Sequence, residues 1–107
     1  MFARNVSIRL KKKDTTTEFA KLFEEVVMPA LQKQPGFRDA ILLAGNDGLY
    51  MTSISLWESK EEADSYNTKG YPEILKSLEK VVDGPPKVRT TSVVYSTIHK
   101  LATVVAA

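Results

Sequence analysis

With 107 residues, 43% of them apolar and 26% charged, the chain has the size and balance of one folded domain, which excludes a disordered segment or a membrane-embedded bundle. Its 15 basic and 13 acidic residues leave a formal charge of +2, too slight for a nucleic-acid-binding surface. The absence of cysteine removes disulfides and thiolate chemistry, and a single histidine removes a two-histidine metal site within one chain.

The N-terminal stretch MFARNVSIRLKKK has no apolar run of the kind that follows the basic segment of a secretory leader. No later stretch approaches the roughly 20 apolar residues that span a bilayer, so a cytoplasmic protein with no membrane partner is expected. From Asn5 to Lys11, Val6, Ile8 and Leu10 alternate with Ser7, Arg9 and Lys11, the period of a strand with one buried face. Lys11 to Lys13 then read as a solvated turn. Thr15-x-x-Glu18 has the form of a capping box, and behind it Phe19, Leu22, Phe23, Val26, Val27, Ala30 and Leu31 make one apolar helical stripe. Pro29 lies inside that stripe and predicts a kink or short break, with the helix stopping at Pro35-Gly36.

Phe37 to Ala44 reads as a second strand, and Gly45-Asn46-Asp47-Gly48 as the turn that joins it to a third. In the third strand Tyr50, Thr52, Ile54 and Leu56 alternate with Met51, Ser53, Ser55 and Trp57, the only tryptophan. Ser59-x-x-Glu62 caps the helix that begins near Lys60. A polar segment, Asn67 to Tyr71, leads to a short helix opened by Pro72 and carrying Ile74, Leu75, Leu78, Val81 and Val82, which Asp83-Gly84-Pro85-Pro86 ends. From Lys87 to about Val105 the chain alternates and is rich in Val, Thr, Tyr and Ile, which predicts one long final strand.

Strand, helix, strand, strand, helix, strand, joined by right-handed crossovers, makes an α+β domain of ferredoxin-like form, an antiparallel sheet with its helices on one face. The other face would be bare. Val88, Val94 and Ile98 on one parity of the last strand, with Val93, Tyr95 and Leu101 on the other, put apolar groups on both sides. A patch of that size marks an interface, so a homodimer through the sheet faces is expected, the long last strand reaching to the partner.

An Asn near the start of the first strand, LQKQPGF after the first helix and SLWESKEEADSY at the third strand resemble the antibiotic biosynthesis monooxygenase (ABM) family of dimeric α+β barrels. The resemblance spans roughly residues 5 to 100 and makes residues 1–107 a single domain of that kind. It implies the barrel dimer and leaves three activities open: cofactor-independent oxidation of a small aromatic or quinol, haem degradation, and ligand binding without catalysis. Haem-degrading members resemble this chain at Asn5, but their helical Trp falls here on Tyr66 and their haem-ligating His near Lys76, with no His between Pro72 and Val82. The expectation is therefore no cofactor and no metal. Oxidation of a phenol by oxygen asks for a dry, aromatic-lined pocket, a base or hydrogen-bond partner for the hydroxyl, and donors for the oxyanion. The residues expected to supply these are Asn5, Trp57, Tyr66 and His99, with Tyr95 a further candidate and Arg38 either a substrate partner or a surface ion pair. A binding module is the alternative, favoured by a wholly apolar cavity with Asn5 and His99 facing water.

Overall fold

The computed structural model describes residues 1–98 of the chain. In chain order its elements are β1 (Phe2–Arg9), α1 (Thr16–Leu22), a π-helical stretch (Phe23–Val27), α2 (Met28–Gln32), β2 (Phe37–Ala44), β3 (Tyr50–Trp57), α3 (Lys60–Lys69), α4 (Tyr71–Leu78) and β4 (Lys87–Ser92). The four strands form one antiparallel sheet in the order β2-β3-β1-β4. This is the ferredoxin-like α+β arrangement expected from the element order.

Pairing fixes which residues share a face, because directly opposed residues in a sheet point the same way. Val6 opposes Ser53, Ile8 opposes Met51, Phe2 opposes Trp57, and Phe37 opposes Trp57 from the other side. This parity meets the helices. Val6, Ile8, Met51 and Trp57 join Phe19, Phe23, Val27, Leu31, Ala63, Tyr66, Ile74 and Leu78 in one core. The opposite parity holds Asn5, Ser7, Arg9, Ile54 and Thr52, and at β2 it exposes Ile41 (38%) and Leu43 (48%), with Tyr50 (45%) beside them. No helix among the described residues is long and apolar enough to cross a membrane.

Local chemistry accounts for the corners. Ser59 sits in extended backbone (φ −139°, ψ 159°), and its Oγ accepts from the Glu62 backbone N–H at 3.2 Å while donating to Glu62 Oε1 at 3.0 Å. Gly36, with φ 81°, lies under that same Glu62 carboxylate, where a β-carbon would collide, and its carbonyl accepts from the Glu58 N–H at 2.8 Å. The Pro-Gly-Phe turn and the Trp-Glu-Ser corner are thus packed on each other, and Arg38, displaced at a β-bulge, forms an ion pair with Glu58. The hairpin turn is closed by Asp47, whose Oδ1 accepts from the Leu49 and Tyr50 N–H groups at 2.9 and 3.1 Å.

Four expectations change. Thr15 does not cap α1: its backbone is not extended (φ −109°, ψ 23°), and its hydroxyl donates to the Lys12 carbonyl at 2.7 Å instead. At Pro29 the expected kink or short break takes the form of a change of helix type: the run continues but passes through the π stretch just before it, where the Met28 N–H reaches the Phe23 carbonyl, a bond spanning five residues. The polar segment after Tyr66 continues α3 through Lys69. The last strand stops at Ser92, because β4 pairs with β1 alone and Ser92 lies opposite Phe2, where β1 begins; one further bond, Val93 N–H to the Met1 carbonyl at 2.9 Å, uses up the partner. The predicted strand beyond residue 98 lies outside the described residues.

The two caps give a direct comparison. Ser59→Ala removes a bonded cap and should cost about 1 kcal/mol, whereas Thr15→Ala should stay within about 0.5 kcal/mol, read as shifts in the urea midpoint at constant slope.

Candidate functional site

β1 carries a charge on its buried parity. Arg4 shares that side with Val6 and Ile8, and only 3% of it is exposed. Burying a guanidinium is costly unless its donors and charge are met, so its surroundings are informative. Nη2 donates to Asn67 Oδ1 on α3 at 2.9 Å. The guanidinium carbon lies 3.9 Å from the centroid of the Tyr71 ring and 5.0 Å from that of Tyr66, so two aromatic faces stabilise the cation by up to about 2 kcal/mol each. No carboxylate pairs with it among the described residues, and its Nε has no hydrogen-bond partner.

The aromatic side of this cluster descends from β3. Trp57 is wholly buried, its Nε1 donating to Ser55 Oγ at 2.8 Å. Its ring stacks on Tyr66 (5.2 Å between centroids, 27° between planes) and meets Phe37 edge-on at 5.6 Å. Tyr66 in turn lies 6.1 Å from Tyr71. Gly70 makes room for this arrangement, since a β-carbon there would lie 2.8 Å from Tyr66 Cδ1.

Arg4, Tyr66 and Tyr71 form the polar end of a cavity between sheet and helices, which Ser53, Ser55, Val6, Ile8, Phe19, Phe23, Val27, Leu31, Ile74, Leu75, Leu78 and Pro86 complete. Its volume is about 30 Å³, room for a water molecule or two and far less than an aromatic ring needs. Burial pushes the Tyr66 phenol up to about 12, against the pull of the neighbouring guanidinium, and pushes the Tyr71 phenol up for the same reason. Burial also lowers the Arg4 guanidinium from its usual value, the two tyrosines opposing the change. At neutral pH the cluster is one cation and two neutral phenols, equipped to donate hydrogen bonds to an oxyanion and to receive no proton.

Of the residues expected from sequence, Trp57 and Tyr66 are brought together here. Asn5 is on the opposite side of the sheet, where its Nδ2 donates to Thr91 Oγ1 at 3.0 Å and to the Arg89 carbonyl at 3.3 Å, in a groove with Ser7, Lys87 and Val88. One-residue alternation separates Asn5 from Arg4, so Asn5 lies on the face of the sheet away from this cavity. Tyr95 is 80% exposed, Arg38 is held by Glu58, and His99 lies outside the described residues. Among the described residues no cluster of His, Cys, Asp or Glu has the form of a metal site. Sequence reasoning missed Arg4, Asn67 and Tyr71. The signal for Arg4 was present: β1 starts at Phe2 instead of Asn5, and the longer strand puts a basic residue in phase with Val6 and Ile8.

Residues 1–71 match the family model described as antibiotic biosynthesis monooxygenase. Among solved structures, a monooxygenase from the gene ActVA-Orf6 of Streptomyces coelicolor, in complex with nanaomycin D, superposes with a TM-score of 0.74 at 20% identity over 92% of each chain. SnoaB, a cofactor-independent oxygenase from Streptomyces nogalater, gives 0.71 at 14% identity, over 92% of this chain and 97% of that one. A putative antibiotic biosynthesis monooxygenase from Bordetella bronchiseptica gives 0.70 at 16% identity, over 88% of this chain and 97% of that one. At these identities the likeness is one of fold. No curated protein sequence matches the chain.

Two consequences are measurable. Tyr66 ionises near 10 in the unfolded chain and at about 12 in the folded one, so its contribution is complete below pH 10 and is lost as pH rises to 12. Urea titrations at pH 8 and pH 11.5 should show a loss of up to roughly 2 kcal/mol from this group, and Tyr66→Phe should flatten that slope. Gly70→Ala should cost about 1 to 3 kcal/mol by pressing on the Tyr66 ring, visible as a lower midpoint together with a changed near-ultraviolet dichroism of the Trp57–Tyr66 pair.

Proposed function

The chain belongs to the antibiotic biosynthesis monooxygenase family, and we propose that it is itself a monooxygenase, working without a resident cofactor on a small aromatic or quinol bound between sheet and helices. One observation carries this reading: the apolar cavity ends in a buried cation and two neutral phenols, Arg4, Tyr66 and Tyr71. Supporting it by analogy are the Streptomyces coelicolor monooxygenase bound to nanaomycin D and the cofactor-independent oxygenase SnoaB.

In this proposal the substrate is its own reductant. A phenol beside Arg4 loses its proton more readily, because the guanidinium favours the phenolate. Electron density then rises on the ring, the carbon that reacts with oxygen becomes a carbonyl, and the second oxygen atom leaves as water with two hydrogens from substrate. Tyr66 and Tyr71 donate to oxyanions, and Trp57 fixes the Tyr66 ring and helps to keep water out. Both tyrosines are neutral at neutral pH, so the proton acceptor is the medium or a group beyond the cluster.

Homodimerisation through the bare sheet face completes the proposal. Ile41, Leu43 and Tyr50 leave an apolar strip exposed there, with Asn5 on the same side of the sheet. Equilibrium sedimentation should give the mass of two chains at micromolar concentration and of one chain for Leu43→Lys; a monomeric wild type would remove this part.

Activity is tested by oxygen uptake of the metal-free protein on a panel of dihydroxy-arenes. Uptake above the uncatalysed rate is expected, falling roughly a hundredfold in a folded Arg4→Gln variant. Uptake equal to background across the panel, or unchanged in Arg4→Gln, would count against the enzyme and leave a ligand-binding domain.

A further inference from the structure

The donors around Arg4 do not balance. Its guanidinium has five N–H groups. The Nη2 group is engaged by Asn67, while Nε has no hydrogen-bond partner among the described residues. The Tyr71 hydroxyl, on the neighbouring ring over which the guanidinium sits, is likewise buried; the guanidinium is the polar group it faces, and since arginine offers no acceptor, its own O–H has none among the described residues. Unpartnered buried donors are rare in folded proteins, and two of them on adjacent side chains lining one cavity specify a missing acceptor. The charge points the same way: the cation is 3% exposed and meets only neutral groups.

We propose that this cavity receives the carboxylate of a small aromatic acid, one oxygen on Arg4 and the other on the Tyr71 hydroxyl. The proposal rests on the reading that this cavity is the binding site, and it narrows the substrate from aromatic to an aromatic acid whose hydroxyl is ortho to the carboxylate, which keeps the phenol beside the guanidinium. Two donors match two oxygens of a planar group; a tetrahedral phosphate would bring more oxygens than the cluster can satisfy. The carboxylate supplies the countercharge that no side chain among the described residues provides to Arg4. Beyond the polar end the walls are Val6, Ile8, Phe19, Phe23 and Leu78, which suit a ring. At about 30 Å³ the space has the size of the carboxylate head, so the ring enters by displacing part of the wall.

The test compares benzoate with benzamide, which has the same shape and no charge, by calorimetric titration of the whole chain at neutral pH. Benzoate should bind at least tenfold more tightly than benzamide and raise the melting midpoint more at equal concentration. Tyr71→Phe, which keeps the ring under the guanidinium and removes only the hydroxyl, should weaken benzoate several-fold and benzamide by less, since its amide oxygen is the weaker acceptor. Arg4→Gln should bring benzoate down to the level of benzamide; should that variant not fold, the wild-type pair and Tyr71→Phe still decide. Equal binding of the two probes, no benzoate binding at millimolar concentration, or indifference of benzoate to Tyr71→Phe would each overturn the proposal. Oxygen uptake, measured separately, keeps the two readings apart: selective benzoate binding without uptake on any arene removes the monooxygenase and retains the acid site, whereas uptake with indistinguishable probes does the reverse.

Discussion

The contact on which the rest depends is the stack of Trp57 on Tyr66. Trp57 is the last residue of β3 and Tyr66 lies in the middle of α3, so a ring-on-ring contact across nine residues ties the sheet to the helical layer. A buried aromatic of this size supports the fold by about 3 to 5 kcal/mol, and the ring pair adds about 1 kcal/mol beyond area. Its geometry has a second effect. With one face of Tyr66 against the indole, the ring is held where its other neighbours, Arg4 and Tyr71, find it. The Ser59 cap and the Gly36 turn set the strand-to-helix corner that makes the stack possible.

From that contact the site is built almost without loops. Arg4 comes from a strand, Tyr66 and Asn67 from one helix and Tyr71 from the start of the next, all on regular elements. Rigid elements hold donors more closely than loops do, which suits electrostatic stabilisation of an oxyanion. The cation is placed by aromatic faces and one amide in place of a carboxylate. A carboxylate would have neutralised it; rings and an amide leave its charge available to a ligand.

Much of this was legible in the residues and some was not, for physical reasons. Strand and helix order, the core parity of β3 and the Ser59 cap follow from periodicity and local hydrogen bonding, which act over a few residues. The Thr15 cap failed because a motif of the same form met a different backbone angle, with the hydroxyl bonded back to the Lys12 carbonyl. The final strand failed because its alternation was real but its partner was finite: a strand is a property of a pair, and β1 runs out at Phe2. Asn5 and Arg4 differ by one position and face opposite sides, so beginning the strand at Asn5 hid the residue that matters to the cavity. Tyr71 and Asn67 could not be found from periodicity at all, since what unites them with Arg4 is a contact across more than sixty positions of chain.

The π stretch bears on the cavity as a matter of angular phase. The buried residues of the first helical run are Phe19, Phe23, Val27 and Leu31, each four positions apart. In an uninterrupted α-helix every such step overshoots a full turn by about 40°, so three steps would carry Leu31 about 120° round from Phe19 and off the sheet. Widening the turn to span five residues between Phe23 and Val27 takes back part of that overshoot and keeps all four side chains over the cavity. The wall of the pocket is therefore tuned by helical pitch as well as by side-chain size. A change of a single residue in the length of this segment would rotate Leu31 by about 100° relative to Phe19 while leaving every lining residue in the sequence.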